Sequence, residues 1–307
     1  MKQTTDKLLM IRPACFYSND QTATNNYFQQ QTKESKVSTT EKAQQEFDDF
    51  VAVLQNNGVS VYVWHDSKEP MTPDALFPNN WISFHNPSTW ITYPMFATNR
   101  QQEVSDAPIE FLASKGFSFK TKIDLTSHLS SNLFLEGTGS MILDRINRIA
   151  YCARSERTHS YLLDLFCKEM GYQSVIFSSF QNVNGQRKPI YHTNVMMSIG
   201  IDFALVCLDA IDDVGERNLL MGHLKETGKT IIALGEEQIQ QFTGNALELK
   251  SDQNERLLAI STRGYRALTR SQKEELSDQL KIIHSPLPTI EQLGGGSARC
   301  MMAEIFN

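Results

Sequence analysis

The sequence has no run of basic residues, no pair of cysteines at Cys-x-x-Cys spacing, and no apolar stretch near the roughly 18 residues that a membrane span requires. Its formal charge of −6 over 307 residues argues against a nucleic-acid partner, because a surface that binds phosphates is strongly basic. The first residues also lack the apolar segment of a signal peptide. We therefore expect a cytoplasmic protein that binds neither nucleic acid nor membrane.

Loops that bind nucleotides are missing as well. Neither Gly-x-Gly-x-x-Gly nor Gly-x4-Gly-Lys-Ser/Thr occurs, and histidine, cysteine and carboxylate residues do not cluster at the spacing of metal ligands. We expect no cofactor and no metal. The five cysteines are an odd number without the spacing of a disulfide framework, which suits a reduced compartment. Cys152, Cys167 and Cys207 lie in apolar segments and are interpreted as small buried side chains.

Strand and helix signals alternate along the chain, which predicts an α/β fold. A strand at residues 8–11 is followed by a polar loop over 19–38 and a helix from Thr40, where apolar residues recur at helical spacing. The later predicted elements are strands at 149–153, 174–178, 203–208, 230–234, 257–261 and 281–283, helices at 156–170 and 213–227, and a helix capped by Thr269. No linker rich in proline, glycine or serine interrupts this order, so we expect one domain over residues 1–307.

A glycine-rich segment near the end of the chain carries the strongest chemical signal. Gly294-Gly295-Gly296 precedes Ser297-Ala298-Arg299-Cys300, and a strand is expected at Cys300. Three consecutive glycines cost backbone entropy and are used where the chain must bend sharply or approach a ligand closely. A packed, inert cysteine does not need such a turn, so Cys300 is predicted to be a nucleophile.

Two distant segments supply an imidazole and a carboxylate. Residues 189–199 alternate as a strand, which would place His192 and Asn194 on one face. Glu136 lies between the apolar run 133–135 and Gly137-Thr138-Gly139, either as a solvated turn residue or as a carboxylate at the end of a buried strand that holds a cation or orients a histidine. The other histidines are interpreted as surface or hydrogen-bonded core residues: His65, His85, His128, His159, His223 and His284.

The order of these segments resembles the guanidino-group-modifying superfamily, which comprises arginine deiminases, dimethylarginine dimethylaminohydrolases and amidinotransferases. Residues 73–81, Pro-Asp-Ala-Leu-Phe-Pro-Asn-Asn-Trp, look like the substrate segment of that family. Residues 155–158, Ser-Glu-Arg-Thr, look like the Ser-x-Arg-Thr of the dimethylaminohydrolases, and Arg100 resembles their second arginine. The citrulline-utilisation hydrolases look similar at residues 10–13, 79–81 and 294–300.

The resemblance implies a five-bladed, pseudo-fivefold α/β propeller built from strand-strand-helix-strand units. It also implies that the Cys300 thiolate attacks the central carbon of a guanidino or ureido group, while His192 protonates the leaving amine and then activates water. Glu136 would orient His192 or bind substrate nitrogens.

Arginine and acidic or amide residues would bind the rest of the substrate, a small amino acid. Arg157 and Arg100 would hold its carboxylate through the planar arginine fork, although either could instead form an exposed salt bridge. The other residues that the resemblance assigns to substrate binding are Asp74, Phe77, Asn79, Asn80 and Asn194.

Amides stand at positions where guanidine-binding relatives carry carboxylates. Asn80 and Asn194 replace aspartates, and Asn79 lies where an acidic residue can occur. A buried guanidinium without anionic partners is costly, whereas an amide offers both a donor and an acceptor to a neutral ureido group. The sequence therefore favours citrulline or a similar ureido substrate, or a guanidine held mainly by Glu136 and Asp74.

Several alternatives stay open at this point. An amidinotransferase would pass the same adduct to an amine instead of water, and a non-catalytic propeller like the ribosome anti-association factors would lack the cysteine, histidine and carboxylate set. A papain-like hydrolase fits poorly, because its cysteine precedes its histidine. The sequence is compatible with a homo-oligomer, and it leaves open whether residues 19–38 close over the site.

Overall fold

The computed structural model of the chain describes residues 2–306, whose strands form five three-stranded sheets and one two-stranded hairpin. This confirms the predicted α/β class and the five-bladed arrangement. The strands are β1 (Lys7–Arg12), β2 (Ser60–His65), β3 (Ile82–Asn86), β4 (Thr89–Thr92), β5 (Thr121–Asp124), β6 (Met141–Asp144), β7 (Ile149–Arg154), β8 (Gln173–Ser178), β9 (Phe180–Val183), β10 (Gln186–Pro189), β11 (Met197–Ile199), β12 (Phe203–Val206), β13 (Thr230–Ala233), β14 (Leu247–Lys250), β15 (Arg256–Ser261), β16 (Lys281–Ser285) and β17 (Ala303–Glu304).

Helices lie mainly between the strands of these sheets. They are α1 (Lys36–Asn56), α2 (Thr98–Gln101), α3 (Ala107–Ser114), α4 (Gly137–Ser140), α5 (Ser160–Met170), α6 (Val214–Glu226), α7 (Glu236–Ile239), α8 (Thr262–Ala267), α9 (Arg270–Ser277) and α10 (Pro288–Gly294). Among residues 2–306, none of these helices is long and apolar enough to cross a membrane.

Four of the three-stranded sheets follow the chain order directly. Each begins with an antiparallel pair and continues with a parallel pair: β3-β4-β5, β6-β7-β8, β11-β12-β13 and β14-β15-β16. The parallel step always contains one or two helices, because parallel strands cannot be joined by a tight turn. This is the strand-strand-helix-strand unit expected from the resemblance.

The fifth sheet combines the two ends of the described chain. Strand β1 pairs in parallel with β2 across α1, and β17 pairs antiparallel with β1, so that Leu8 lies opposite Glu304. Strand β17 thus takes the place that the first hairpin strand has in the other sheets. Because this pairing anchors the segment after Cys300, it also fixes the position of the cysteine.

The predicted helix from Thr40 is confirmed, but it begins earlier, at Lys36. The Ser35 side chain accepts a hydrogen bond from Ser38 N and caps the first turn, which shortens the predicted polar loop. Its apolar positions are buried as the helical spacing predicts: Ala43, Phe47, Phe50, Val51 and Leu54. The helix predicted from residue 156 instead begins at Ser160, because His159 caps it and residues 155–158 form a turn.

Two strand predictions near the candidate site are wrong. Residues 189–199 do not form one strand: β10 ends at Pro189, residues 193–195 form a 3-10 turn, and β11 begins at Met197. The Thr193 hydroxyl bonds to Ser140 O and Ala153 N and holds this turn against two other segments. Cys300 lies on the 3-10 turn 298–301 rather than on a strand. Before Glu136, Leu135 forms only an isolated bridge with Thr158.

Candidate functional site

Five short turns occupy equivalent positions in the five sheets. Each is closed by a backbone hydrogen bond from residue i to residue i−3 and ends two or three residues before the first strand of an antiparallel pair. In each pair the first residue donates its N–H to the carbonyl of the second: Asn80–Phe77, Gly139–Glu136, Val195–His192, Asn245–Phe242 and Cys300–Ser297. Because the turns enter the sheets at the same end, distant parts of the chain can supply one site.

Glycine allows neighbouring turns to approach closely. A Cβ atom on Gly139 would lie 2.5 Å from Asn80 Nδ2 and 2.8 Å from His192 Nδ1. Real Cβ atoms do not approach neighbours so closely, so any larger residue at this position would displace the amide or the imidazole. Gly139 therefore lets the turns that carry Asn80, Glu136 and His192 pack together.

The Cys300 sulfur is held by two side-chain amides. Cys300 is 3% exposed, and its Sγ accepts hydrogen bonds from Asn194 Nδ2 at 3.3 Å and Asn245 Nδ2 at 3.2 Å. The sequence analysis predicted Asn194 but missed Asn245. The only local signal for Asn245 is a Gly-Asn pair just before strand β14, which is common in ordinary turns.

His192 and Glu136 form a buried pair. His192 Nε2 lies 2.8 Å from Glu136 Oε2, and Glu136 Oε1 accepts a hydrogen bond from Phe96 N at 2.9 Å. Arg157 Nη1 donates to Glu136 Oε2, the oxygen that faces His192, at 3.4 Å. Glu136 is fully buried, so the geometry favours its reading as an orienting carboxylate over a solvated turn residue.

Burial and charge set the protonation states of this pair. Burial lowers the pKa of His192 to about 4, although Glu136 opposes that shift. Burial alone would raise the pKa of Glu136, but Arg157 and His192 outweigh it and hold that pKa well below its usual range. An ionised carboxylate only accepts hydrogen bonds, so Nε2 of the neutral imidazole carries the hydrogen and Nδ1 is the free base.

The depressed pKa of His192 predicts a pH dependence of folding. Its ordinary value is 6.5, so neutral His192 stabilises the fold fully above about pH 6.5, and this contribution is lost as the pH falls toward 4. In the His192→Gln variant we expect the free energy of unfolding to depend less steeply on pH in this range. The slope should fall by up to about 1.4 kcal/mol per pH unit, the value for one proton. Urea unfolding between pH 7 and pH 4 measures it.

The control for this measurement is His65→Gln, at an exposed position on β2. That variant should keep the pH dependence of the native chain. If the free energy of unfolding depended on pH equally in His192→Gln and in the native chain, the imidazole would be protonated in the folded protein across this pH range.

The arginines are buried, so the alternative of exposed salt bridges is wrong for both. Arg100 and Arg157 are each 2% exposed. Arg100 pairs with Glu103 at 2.9 Å and donates to Asn80 Oδ1 at 2.7 Å, so protein groups already occupy its donors. Arg157 donates to Asn25 Oδ1 from Nε at 3.0 Å and to Thr22 O at 3.1 Å. Their role toward a substrate carboxylate stays a prediction.

The predicted amide and acidic residues lie in the same region. Asn80 Nδ2 donates to Asn79 Oδ1 and Asn79 Nδ2 donates to Thr138 Oγ1, so these two amides bond mainly within the protein. Asp74 Oδ2 accepts a hydrogen bond from Asn19 Nδ2 at 2.7 Å. Burial raises the pKa of Asp74, and Arg100 only partly offsets this.

Asp74 Oδ1 and Asn194 Oδ1 are among the buried side-chain acceptors that have no hydrogen-bond partner within residues 2–306 of the chain. A buried acceptor left unpaired costs about 1–3 kcal/mol, so the Oδ1 atom of the cavity-lining Asp74 is suited to receive an N–H donor from a ligand. Asp74, His192 and Cys300 line one cavity.

The polar segment before α1 covers this cavity. Thr22 and Asn26 line it, and Asn26 Nδ2 donates to Gly294 O at 3.1 Å. Tyr191 supports the same glycine-rich turn through a hydrogen bond from its hydroxyl to Gly295 O at 2.6 Å. Phe77 packs beside this turn, where a Cβ atom on Gly294 would lie 2.9 Å from its ring.

The structure thus brings most predicted site residues together, while their chemical roles stay predictions. Besides Asn245, the sequence analysis missed Asn19, Thr22 and Asn25, whose polar loop carries no periodic signal. Within residues 2–306 no group of three histidine, cysteine or acidic side chains could hold a metal ion. The expectation that no cofactor is needed stays a prediction.

Comparison with known families places this site in context. Residues 12–307 match the model of a family described as N,N dimethylarginine dimethylhydrolase, eukaryotic. No curated protein matches the sequence.

Solved structures share the fold over nearly the whole chain. One is ArgZ, an arginine dihydrolase from the ornithine-ammonia cycle in cyanobacteria, with a TM-score of 0.74 and 17% identity. The match covers 98% of this chain but only 40% of ArgZ. The N-terminal domain of ArgZ bound to substrate matches with a TM-score of 0.72 and 16% identity, covering 98% of both chains.

A third structure is a dimethylarginine dimethylaminohydrolase adduct with S-methyl-L-thiocitrulline. Its TM-score is 0.65 at 11% identity, and the match covers 98% of this chain and 99% of that one. At such identities the likeness supports the fold alone.

Proposed function

Because the chain belongs to the N,N dimethylarginine dimethylhydrolase family, we propose that it hydrolyses a C–N bond of a guanidino- or ureido-bearing amino acid, with Cys300 as nucleophile. The observation that carries this proposal is one cavity lined by the Cys300 thiol and by His192, whose imidazole is paired with Glu136. Nucleophile, acid/base and orienting group are the parts that covalent catalysis requires.

The protonation states suggest how the first half-reaction proceeds. Neutral His192 accepts the proton that Cys300 loses, and the thiolate forms a bond to the central carbon of the substrate group. When the C–N bond breaks, the leaving amine takes that proton from His192. The buried Glu136 carboxylate stabilises the transient imidazolium, as an ionised partner does in other nucleophile–histidine pairs.

In the second half-reaction water replaces the sulfur. His192 removes a proton from water, the resulting hydroxide adds to the adduct carbon, and the C–S bond breaks. The thiolate leaves and the proton on His192 becomes available for the next cycle. The leaving amine of the first half-reaction and the water of the second therefore exchange protons with the same His192 imidazole.

The unpaired acceptor of Asp74 favours a guanidinium as the reacting group. Asp74 lines the cavity, and its Oδ1 offers an acceptor and no donor, which fits the N–H groups of an arginine-type substrate. Asp74 also supplies a negative charge in a buried setting. A ureido substrate is the second candidate, because Asn79 and Asn80 are amides where guanidine binders carry carboxylates.

Turnover rates for a panel of substrates distinguish the guanidino candidate from the ureido candidate. Purified protein is offered arginine, methylated arginines, agmatine and citrulline, and the release of ammonia or methylamines is measured. We expect arginine-type guanidines to react faster than citrulline. Faster turnover of citrulline would select the ureido candidate, and turnover that requires an added amine would indicate amidino transfer.

The Asp74→Asn variant tests the basis of this ranking. Loss of a charge-assisted hydrogen bond costs about 1.5–3 kcal/mol, so kcat/KM for the preferred guanidine should fall roughly 10- to 150-fold. The value for citrulline should change much less, because a neutral ureido group does not require the charge. Equal losses for both substrates would contradict a role for Asp74 in guanidinium binding.

A further inference from the structure

We infer that Asn245 is a catalytic residue of the proposed hydrolase, whose side-chain amide donates a hydrogen bond to the Cys300 sulfur and stabilises its thiolate form. The inference rests on the proposed function. The donor atom, Asn245 Nδ2, lies 3.2 Å from Sγ, and Asn245 is 1% exposed.

The backbone fixes which atom of the Asn245 amide faces the sulfur. Its Oδ1 accepts a hydrogen bond from Arg299 N at 3.0 Å, and a backbone N–H can only donate. The amide nitrogen must therefore point the other way, where it meets Asn194 O at 3.1 Å as well as Sγ. Its two hydrogens match these two acceptors.

Asn194 is oriented less strictly. Its Nδ2 lies 3.3 Å from Sγ, but its Oδ1 has no partner within residues 2–306 of the chain. Rotating this amide by half a turn would present oxygen to the sulfur without breaking another side-chain hydrogen bond. Asn245 is thus the donor whose orientation the surrounding structure determines.

The position of Asn245 depends on close packing between turns. Asn245 N bonds to Phe242 O and closes its turn. A Cβ atom on the preceding Gly244 would lie 2.5 Å from Val195 O, so only glycine lets this turn pack against the turn that carries Asn194. Asn245 also holds the same turn position as Cys300, because each donates the closing hydrogen bond of its turn.

A buried thiolate needs such donors. The thiolate is the reactive form of cysteine, and its charge is costly to bury unless hydrogen-bond donors or cations replace water. The guanidinium next to it in sequence, Arg299, is directed to Glu304 at 2.7 Å and to Met302 O at 2.8 Å. The neutral amides are therefore the groups that donate directly to the sulfur.

The test measures ionisation of Cys300 in Asn245→Ala and Asn245→Asp. Thiolate ultraviolet absorbance is followed against pH, with the Cys300→Ser protein subtracted to remove the other cysteines. We expect the midpoint to move up by about one pH unit in Asn245→Ala, as loss of one hydrogen bond to a charged group implies, and further in Asn245→Asp, whose carboxylate repels the thiolate. At pH 7, kcat should fall by up to about tenfold in Asn245→Ala and by more in Asn245→Asp.

Neither variant changes the other charged or titratable groups around the sulfur. These are Asp74, Arg100, Arg157, Tyr191, His192 and Arg299. Asn147→Ala is the matched control, because the Asn147 amide also bonds within a turn, to Asp144, away from the cavity. It should leave both the midpoint and kcat unchanged.

The outcomes separate this inference from the proposed function. An unchanged midpoint in a folded Asn245 variant would overturn the inference even if turnover fell, because Asn245 would then act only through structure. Asn245→Asp is nearly isosteric and keeps the acceptor for Arg299 N. Its midpoint can therefore be measured instead if Asn245→Ala does not fold. Retained turnover in Cys300→Ser would instead contradict the proposed function.

Discussion

Replacing Cys300 by serine is expected to lower turnover by at least about 10³-fold, because a serine hydroxyl in the same cavity is far less ionised than a thiol. The variant should also form no covalent adduct. Ammonia or amine release measures the first effect, and the intact mass of the protein after incubation with substrate measures the second. The small change in side-chain volume keeps the two amide contacts of the site within reach.

Cys167→Ser is the matched control for this replacement. Cys167 lies on α5, is 7% exposed, and burial raises its pKa to about 12, so its thiol is protonated at neutral pH. We expect turnover and adduct formation to persist in this variant. Equal loss in both variants would mean that Cys300 has no special role.

The second large effect is expected for Glu136→Gln. Glutamine can still accept a hydrogen bond from His192 Nε2, but it removes the charge that stabilises the imidazolium during turnover. Because acid–base catalysis contributes about 10²–10⁴-fold, we expect kcat to fall within that range. The change also leaves the buried Arg157 without its carboxylate partner, so folding must be measured beside kcat.

Glu46→Gln serves as the control for Glu136→Gln. Glu46 is a partly buried carboxylate that accepts backbone hydrogen bonds from Thr289 and Ile290, at the start of α10. The Glu46→Gln variant should have a somewhat lower free energy of unfolding and an unchanged kcat. A loss of kcat in Glu136→Gln no larger than in this control would contradict an orienting role for Glu136.

Local sequence patterns predicted several of the elements outside the site. Helix α1 has apolar residues on one face, so its helical spacing is visible in the sequence and matches its burial. Thr269 and Asp213 cap α9 and α6, as the residue types at these positions indicate. Each of these signals arises between residues a few positions apart, which is why a sequence can reveal it.

Patterns failed where tertiary contacts override them. Residues 189–199 alternate like a strand, yet Thr193 bonds to β7 and to the end of α4, and the chain turns there instead. The predicted strand at Cys300 is likewise a turn. In both cases the equivalent turns of different sheets bond to each other, and no local periodicity encodes contacts of that kind.

By itself the sequence determined the α/β class, the buried helix faces and the glycine-flanked cysteine, and its resemblance to a known superfamily singled out Cys300, His192 and Glu136. Tertiary structure alone decided that Asn245 reaches the Cys300 sulfur, that both predicted arginines are buried, and that Asp74 and Asn194 keep open acceptors. The physical reason is distance along the chain. Asn245 and Cys300 are 55 positions apart, and they meet only because two sheets place their entry turns side by side.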